Sequence, residues 1–410
     1  MARLRPFRAL RPRKDAAAAI AAVPYDVVSA DEARALAAGN PLSFLRVSRP
    51  ELELPPGTNP YGDAVYDRAV SNFEKLRASS LVIEDEPSLY FYRLRHGAHE
   101  QTGLAGCWSL DEYDGGVVKK HERTRRDKED DRTRHMIALG AQTGPVFLTY
   151  RAVADVSTIA GRVASDDPLC DFVAADNVRH TVWQVRGADR DSLVKAFERV
   201  PALYIADGHH RAASAARARD TFRERGTARP SLGDGADFHT FLGVVFPHDR
   251  VQILPYNRIL RDIGQLTPDA FMLAVRGRFD VEPGPATPRR RGEIAMYCRG
   301  AWHTLRPRSQ SEAADVIRAL DVSVLQDQLL SPVLGIHDVT TDTRIDFVGG
   351  ARGTAELERL VGSGKAVVAF SLFAVSVADL MAVSDAGAIM PPKSTWFEPK
   401  LRDGLLSHLI

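Results

Sequence analysis

Two rhythms of apolar residues alternate along this chain. Residues 202–206 (Ala-Leu-Tyr-Ile-Ala) form an unbroken apolar run of strand length, and Asp207-Gly208 follows as a turn. From 209 to 225 Ala and Arg dominate and neither Gly nor Pro occurs, which predicts a helix. Upstream, strands are predicted at 88–95 and 101–110 around His96-Gly97-Ala98, with a short apolar start at Val117-Val118 and strands at 145–150 and 178–185. Helices are predicted at 15–23, at 31–38 behind the capping box Ser29-Ala-Asp-Glu32, and at 64–79. Downstream, 240–246 with 251–254 and 293–297 with 302–305 read as hairpins, and 268–278 and 376–384 as helices. A buried strand at 366–373 and a final strand at 404–410 complete the pattern. Hairpins with interspersed helices predict an α+β fold with a mixed sheet rather than a doubly wound parallel one. The polar stretch 226–237 is expected to divide the chain into 1–230 and a C-terminal α+β region, 238–410.

Composition narrows the function classes. The 410 residues carry 54 basic and 53 acidic side chains, a net charge of +1, which argues against a protein built to coat nucleic acid. Three scattered cysteines make neither a metal-spaced pair nor a disulfide framework, so a reducing cytoplasm is expected. The Ala-rich stretch 16–23 is too short for a signal peptide, and no apolar run of about 18 residues predicts a membrane span.

The strand–turn–helix at 202–225 places free backbone N–H groups and the positive end of a helix dipole at one point. Asp207, His209, His210 and Arg211 share that point, a suitable place for phosphate. Asp207 also fits a plain helix N-cap. The segment Lys119–His135 is almost wholly charged, with Arg123–Asp127 and Arg125–Glu129 spaced as i,i+4 pairs of a solvated helix. Its start is different. Val117-Val118 is expected to deliver Lys119, Lys120, His121 and Glu122 to a sheet edge, where Glu122 is a candidate general base and Arg123 and Arg125 candidate anion holders. In the stiff loop Met390–Lys400, Lys393, Ser394, Thr395 and Lys400 offer donors to an anion, or serve a packed tail. Pro24-Tyr25-Asp26 and Gln142-Thr143-Gly144 fit turns as well as a site lining, and Asp346–Gly350 is a glycine turn without a P-loop pattern.

The motifs KKHERTRRDKEDDR (119–132), AQTGPVF (141–147), YIADGHHRAA (204–213), LPYNR (254–258), DFVGG (346–350) and MPPKSTWFEPKL (390–401) occur in this order. With PFRALRP (6–12) and PYDVVS (24–29), they together resemble a widespread prokaryotic family long classed as of unknown function, over essentially the whole chain. Its Asp-Gly-His-His-Arg region is similar to the ParB/sulfiredoxin-like fold, a group that includes kinases converting free L-serine to O-phosphoserine with ADP or ATP. The resemblance implies a cytoplasmic kinase with a nucleotide and a small molecule as partners, Mg²⁺ as cofactor and a homodimer as an option. It implies phosphate binding by Gly208, His209, His210 and Arg211, and Asp207 as Mg²⁺ ligand or orienter of the hydroxyl. Glu122 becomes the base, and Arg123, Arg125 or Lys393, with Ser394 and Thr395, hold the substrate. The chain departs from ParB in lacking an evident helix-turn-helix, and from sulfiredoxin in having His209 where a reactive cysteine would stand. Two alternatives stay open: a nucleotide-switched NTPase without kinase activity, and a metal-dependent hydrolase using His121, Glu122, His209 and His210.

Overall fold

The apolar run at 202–206 becomes the second strand from one edge of a nine-stranded mixed sheet in the computed structural model, which describes residues 1–225, 237–309 and 315–410. In chain order its strands are β1 (Leu4–Arg5), β2 (Leu89–His96), β3 (His99–Ser109), β4 (Val118–Lys119), β5 (Val146–Tyr150), β6 (Cys170–Val173), β7 (Arg179–Val185), β8 (Leu203–Asp207) and β9 (Thr240–Pro247). Their order across the sheet is β4-β8-β5-β9-β3-β2-β7-β6, with β1 added to β3. Two neighbouring pairs, β4 with β8 and β5 with β9, run parallel, and the others run antiparallel. The expected mixed α+β character is present.

Five longer helices belong with this sheet: α1 (Asp63–Ser79), α2 (Arg126–Leu139), α3 (Ala154–Val163), α4 (Gly187–Phe197) and α5 (His209–Arg225). The apolar core against the sheet is aromatic at its centre. The Phe197 ring meets Trp108 at 5.2 Å and Tyr150 at 5.0 Å, and all three are buried. The alanines of α5 (Ala212, Ala213, Ala215, Ala216 and Ala218) are buried too. Small side chains let the backbone of α5 approach its neighbours closely while keeping the best helix propensity. Ser214 donates to the Glu129 carbonyl of α2 at 3.3 Å, tying the two helices together.

The chain divides into two units: Met1–Val251 with Pro399–Ile410, and Gln252–Glu398. The sequence placed this division near 230–238, and the stretch 226–237 lies, but for Asp237, outside the described residues. The chain stays in the first unit because β9 is buried along almost its whole length. Such a strand needs partners on both edges, and it finds them in β5 and β3. The expected hairpin of 240–246 with 251–254 therefore does not form. Gln252–Leu254 pairs instead with Trp396–Glu398 in the second unit. Two further expectations shrink: the helix at 15–23 keeps only Ala17–Ile20, and the final strand only His408–Leu409. The capping box at Ser29 and Glu32 forms as read.

The second unit carries an antiparallel sheet of β10 (Tyr256–Leu260), β11 (Phe279–Pro283), β12 (Ile294–Cys298), β13 (Ala301–Pro307), β14 (Ile345–Gly349) and β15 (Val368–Leu372), in the order β11-β13-β12-β15-β10-β14. The expected β12–β13 hairpin is there, turning at Arg299 and Gly300, both at positive φ. Among the described residues no helix is long and apolar enough to cross a membrane.

Candidate functional site

Because β4 runs parallel to β8, the segments leaving both strands emerge at the same end of the sheet, the 120–125 segment beside the 207–210 turn. Gly208 makes the turn at φ +95°, where a side chain would be strained, and a Cβ there would stand 3.0 Å from Arg211 Nε. Its carbonyl accepts from the Ala212 N–H at 3.1 Å, so Gly208 rather than Asp207 stands at the helix cap. Asp207 is thereby released from the capping role that the sequence also allowed.

His209 opens α5 and is buried. Its Nε2 accepts from the His121 backbone N–H at 3.4 Å, and its ring meets the His121 ring edge-on at 4.5 Å. With Nε2 accepting, Nδ1 carries the proton and faces Glu122 Oε2 at 3.8 Å. Burial, reinforced by His121, pushes the His209 imidazole well below its ordinary value, and burial pushes His121 down to about 4. Both rings are therefore neutral near pH 7. Glu122 keeps 40% of its side chain in solvent, so the cluster has a wet side.

Asp207 sits between two cations. Lys400 Nζ donates to its Oδ2 at 2.8 Å, and Arg211 NH2 lies 3.9 Å from its Oδ1. Burial alone would raise this carboxyl, but Lys400 and Arg211 outweigh it and hold it well below the usual carboxylate range. The Mg²⁺ role expected of Asp207 does not fit this arrangement, since both oxygens already face cations. Arg211 departs from expectation as well. Its guanidinium is buried and its NH1 donates to the Pro145 carbonyl, so it points into the protein rather than toward an anion at the surface.

Other candidates separate. His210 Nε2 accepts from the Arg125 backbone N–H at 3.0 Å. Arg123 is exposed, and the Arg125 guanidinium pairs with Asp127 at 2.8 Å. Helix α2 begins only at Arg126, so the expected i,i+4 pairs of Arg123 and Arg125 have no helical frame. Glu129 meets Thr124 and Arg217 instead. Lys393, Ser394 and Thr395 belong to the second unit, where Lys393 Nζ lies 5.5 Å from the Tyr256 ring centre and Ser394 donates to the Pro391 carbonyl. Of the loop's donors, Lys400 is the one placed at Asp207.

In sequence, Lys400 is one of four donors in the loop Met390–Lys400, with nothing to set it apart. Its signal was faint, a lysine after a proline nearly two hundred residues from its partner. For the metal alternative, His121, Glu122 and His209 come together with ligand atoms within 4.8 Å of one another, whereas His210 is turned to Arg125.

No curated protein matches the chain. Among solved structures it is similar to a free serine kinase in complex with AMP, at 13% identity and a TM-score of 0.35, covering 74% of this chain and 92% of that one. It is also similar to C-terminally truncated SbnI from Staphylococcus aureus, at 12% identity and a TM-score of 0.40, covering 74% and 87%. A conserved hypothetical protein from Pyrococcus furiosus matches at 13% identity and a TM-score of 0.34, covering 75% and 95%. Scores of this size do not establish a common fold. The family model described as "Protein of unknown function (DUF1015)" matches residues 4–323, and the chain belongs to that family.

Proposed function

We propose that this protein is a phosphotransferase that moves a phosphoryl group from ATP or ADP to a small hydroxylated metabolite, with free L-serine the first acceptor to test. The observation that supports it most is the meeting of Glu122 with a neutral, buried His209 at the N-terminus of α5. The N–H groups of the first turn of α5, following Gly208 at positive φ, are donors of the kind that suits phosphate oxygens. The group of Lys400, Arg211 and Asp207 beside them carries one net positive charge. Phosphoryl transfer needs positioning and charge neutralisation above all. In the proposed step the acceptor hydroxyl oxygen bonds to the terminal phosphorus as the phosphorus–oxygen bond to the nucleotide breaks. The hydroxyl proton passes to Glu122, whose carboxylate His209 Nδ1–H orients. Mg²⁺ would enter on the nucleotide phosphates, since Asp207 is neutralised already.

The test is phosphorus NMR on the full chain with Mg²⁺, ATP or ADP, and small alcohols led by L-serine. A new phosphomonoester that depends on the acceptor supports the reading and names the donor. Nucleotide hydrolysis with no ester overturns it in favour of an NTPase switch.

One observation favours a second reading. Two neutral imidazoles and a carboxylate within 4.8 Å are a donor set that suits a divalent transition metal. Stoichiometric metal in the purified protein, lost on His121→Ala, would support a metal-dependent hydrolase instead.

A further inference from the structure

On the inner side of the Asp207–Arg211 turn, the first unit holds a cavity of about 40 Å³. Its polar lining includes Tyr25, Ser48, Arg132, Gly144, Arg211 and Asp403. One water needs roughly 10–15 Å³ of such space, so the cavity takes about three waters, which occupy on the order of 90 Å³ of liquid. That is room for a metabolite of roughly six or seven heavy atoms, and a nucleotide does not fit.

Among the described residues, three atoms of this lining find no hydrogen-bond partner: Ser48 Oγ, Arg211 Nε and Asp403 Oδ1. Their residues are 3%, 9% and 4% exposed. A buried polar group left unpaired costs about 1–3 kcal/mol, so three around one cavity call for a ligand. The Asp403 carboxylate is held in place by its own backbone. Its N–H donates to the Ala22 carbonyl at 2.9 Å, and the next residue, Gly404, donates to the Thr143 carbonyl at 3.0 Å. Gly144 leaves the space that Asp403 fills, since a Cβ there would stand 2.5 Å from Asp403 Oδ1. Arg132 stacks on Tyr25 at 4.2 Å and donates to the Ser48 carbonyl at 3.2 Å, closing another part of the wall.

The signs of these groups select the ligand. A lone anion would suit Arg211 and be repelled by Asp403, and a lone cation would meet the reverse. A neutral molecule would bring a full charge to neither Arg211 Nε nor Asp403 Oδ1. We propose that the cavity is a subsite for a small zwitterion, an α-amino acid by size, with its carboxylate on Arg211 Nε–H and its ammonium on Asp403. Ser48 Oγ supplies a further hydrogen bond. The inference rests on the phosphotransferase reading only in making this zwitterion the acceptor.

Isothermal titration of the full chain with L-serine, other small amino acids, ethanolamine and glycerate tests it. At least one amino acid should bind about tenfold or more tighter than either singly charged analogue. Asp403→Asn should erase the preference over glycerate while glycerate binding stays or improves, a pattern that mere loosening of the fold would not give. Ser48→Ala, a smaller change, should weaken the amino acid by severalfold and serves if the D403N variant does not fold. Equal binding of all three classes, no amino acid binding, or an unchanged preference in D403N would overturn the subsite. The two proposals fail separately. Amino acid binding with no phosphomonoester overturns the kinase alone, and an ester formed with an unchanged acceptor KM in D403N overturns the subsite alone.

Discussion

The Asp-Gly-His-His-Arg turn faces two ways, and its two sides are built from opposite materials. On the outer side Glu122 is partly in water, and the His209 ring faces the Glu122 carboxylate and the edge of the His121 ring. On the inner side Arg211 and Asp403 are buried, each with a polar atom that no described residue satisfies. Two residues in the first turn of one helix, His209 and Arg211, thus serve a partly solvated side and a buried one. A side chain two positions further along a helix points some 200° around it, so a tight motif can line two compartments. The outer side suits proton exchange, and the inner side suits selection.

The largest expected effect falls on the outer side. Glu122→Gln should cut kcat by about 10²–10⁴-fold, the range of a general base, while nucleotide affinity by titration and the melting temperature stay near wild type. Full turnover in this variant would remove Glu122 from the chemistry and leave the two sides alike in being structural.

Next comes the hinge between the sides, the Asp207–Lys400 pair. Lys400→Met leaves Asp207 largely buried with Arg211 as its remaining close cation. Denaturant unfolding should show a loss on the order of 2–4 kcal/mol. Combining it with Asp207→Asn should recover part of that loss, because residue 207 then carries no stranded charge. Additive losses would mean the pair is not coupled.

The outer side was the more legible in sequence. The strand at 202–206, the Asp-Gly turn and the helix to 225 all follow from local rules of apolar run, turn residue and propensity. The delivery of Glu122 by Val117-Val118 followed from the same reasoning, and the parallel β4–β8 pairing brings that segment to the turn. The inner side was not legible, since its parts lie at Tyr25, Ser48, Arg132, Gly144 and Asp403, joined by no period or motif spacing. Tyr25 and Gly144 stand out in sequence only as ambiguous turns, and Arg132 only as one charge of the 119–135 segment. The place of β9 was hidden for a related reason. An apolar strand with a polar neighbour reads as a hairpin arm, and only the open edges of β5 and β3 decide otherwise.

A pH dependence sharpens the inner side. Burial raises the Asp403 carboxyl to about 7, with Asp26 pushing the same way and Arg211, Arg132 and Arg402 opposing. A carboxyl whose folded pKa lies above its unfolded value gives stability that is present at low pH and lost as pH rises through about 7. The D403N variant, which does not titrate there, should therefore gain in melting temperature relative to wild type as pH rises from about 4 to about 7, and hold that gain above it. The gain should be several degrees in the absence of ligand. A pH-independent difference would show that Asp403 is ionised throughout.

The smallest effect is expected at Arg125, and it tests whether the outer side is held by backbone or by side chain. The Arg125 guanidinium is two-thirds exposed and pairs with Asp127, while its backbone N–H serves His210. An exposed pair of this kind contributes about 0–1 kcal/mol. Arg125→Ala keeps the N–H and should leave acceptor KM and kcat within about threefold of wild type. A large rise in acceptor KM would instead give the guanidinium the substrate-carboxylate role that the sequence suggested. The zwitterion's carboxylate would then belong on the outer side and not on Arg211.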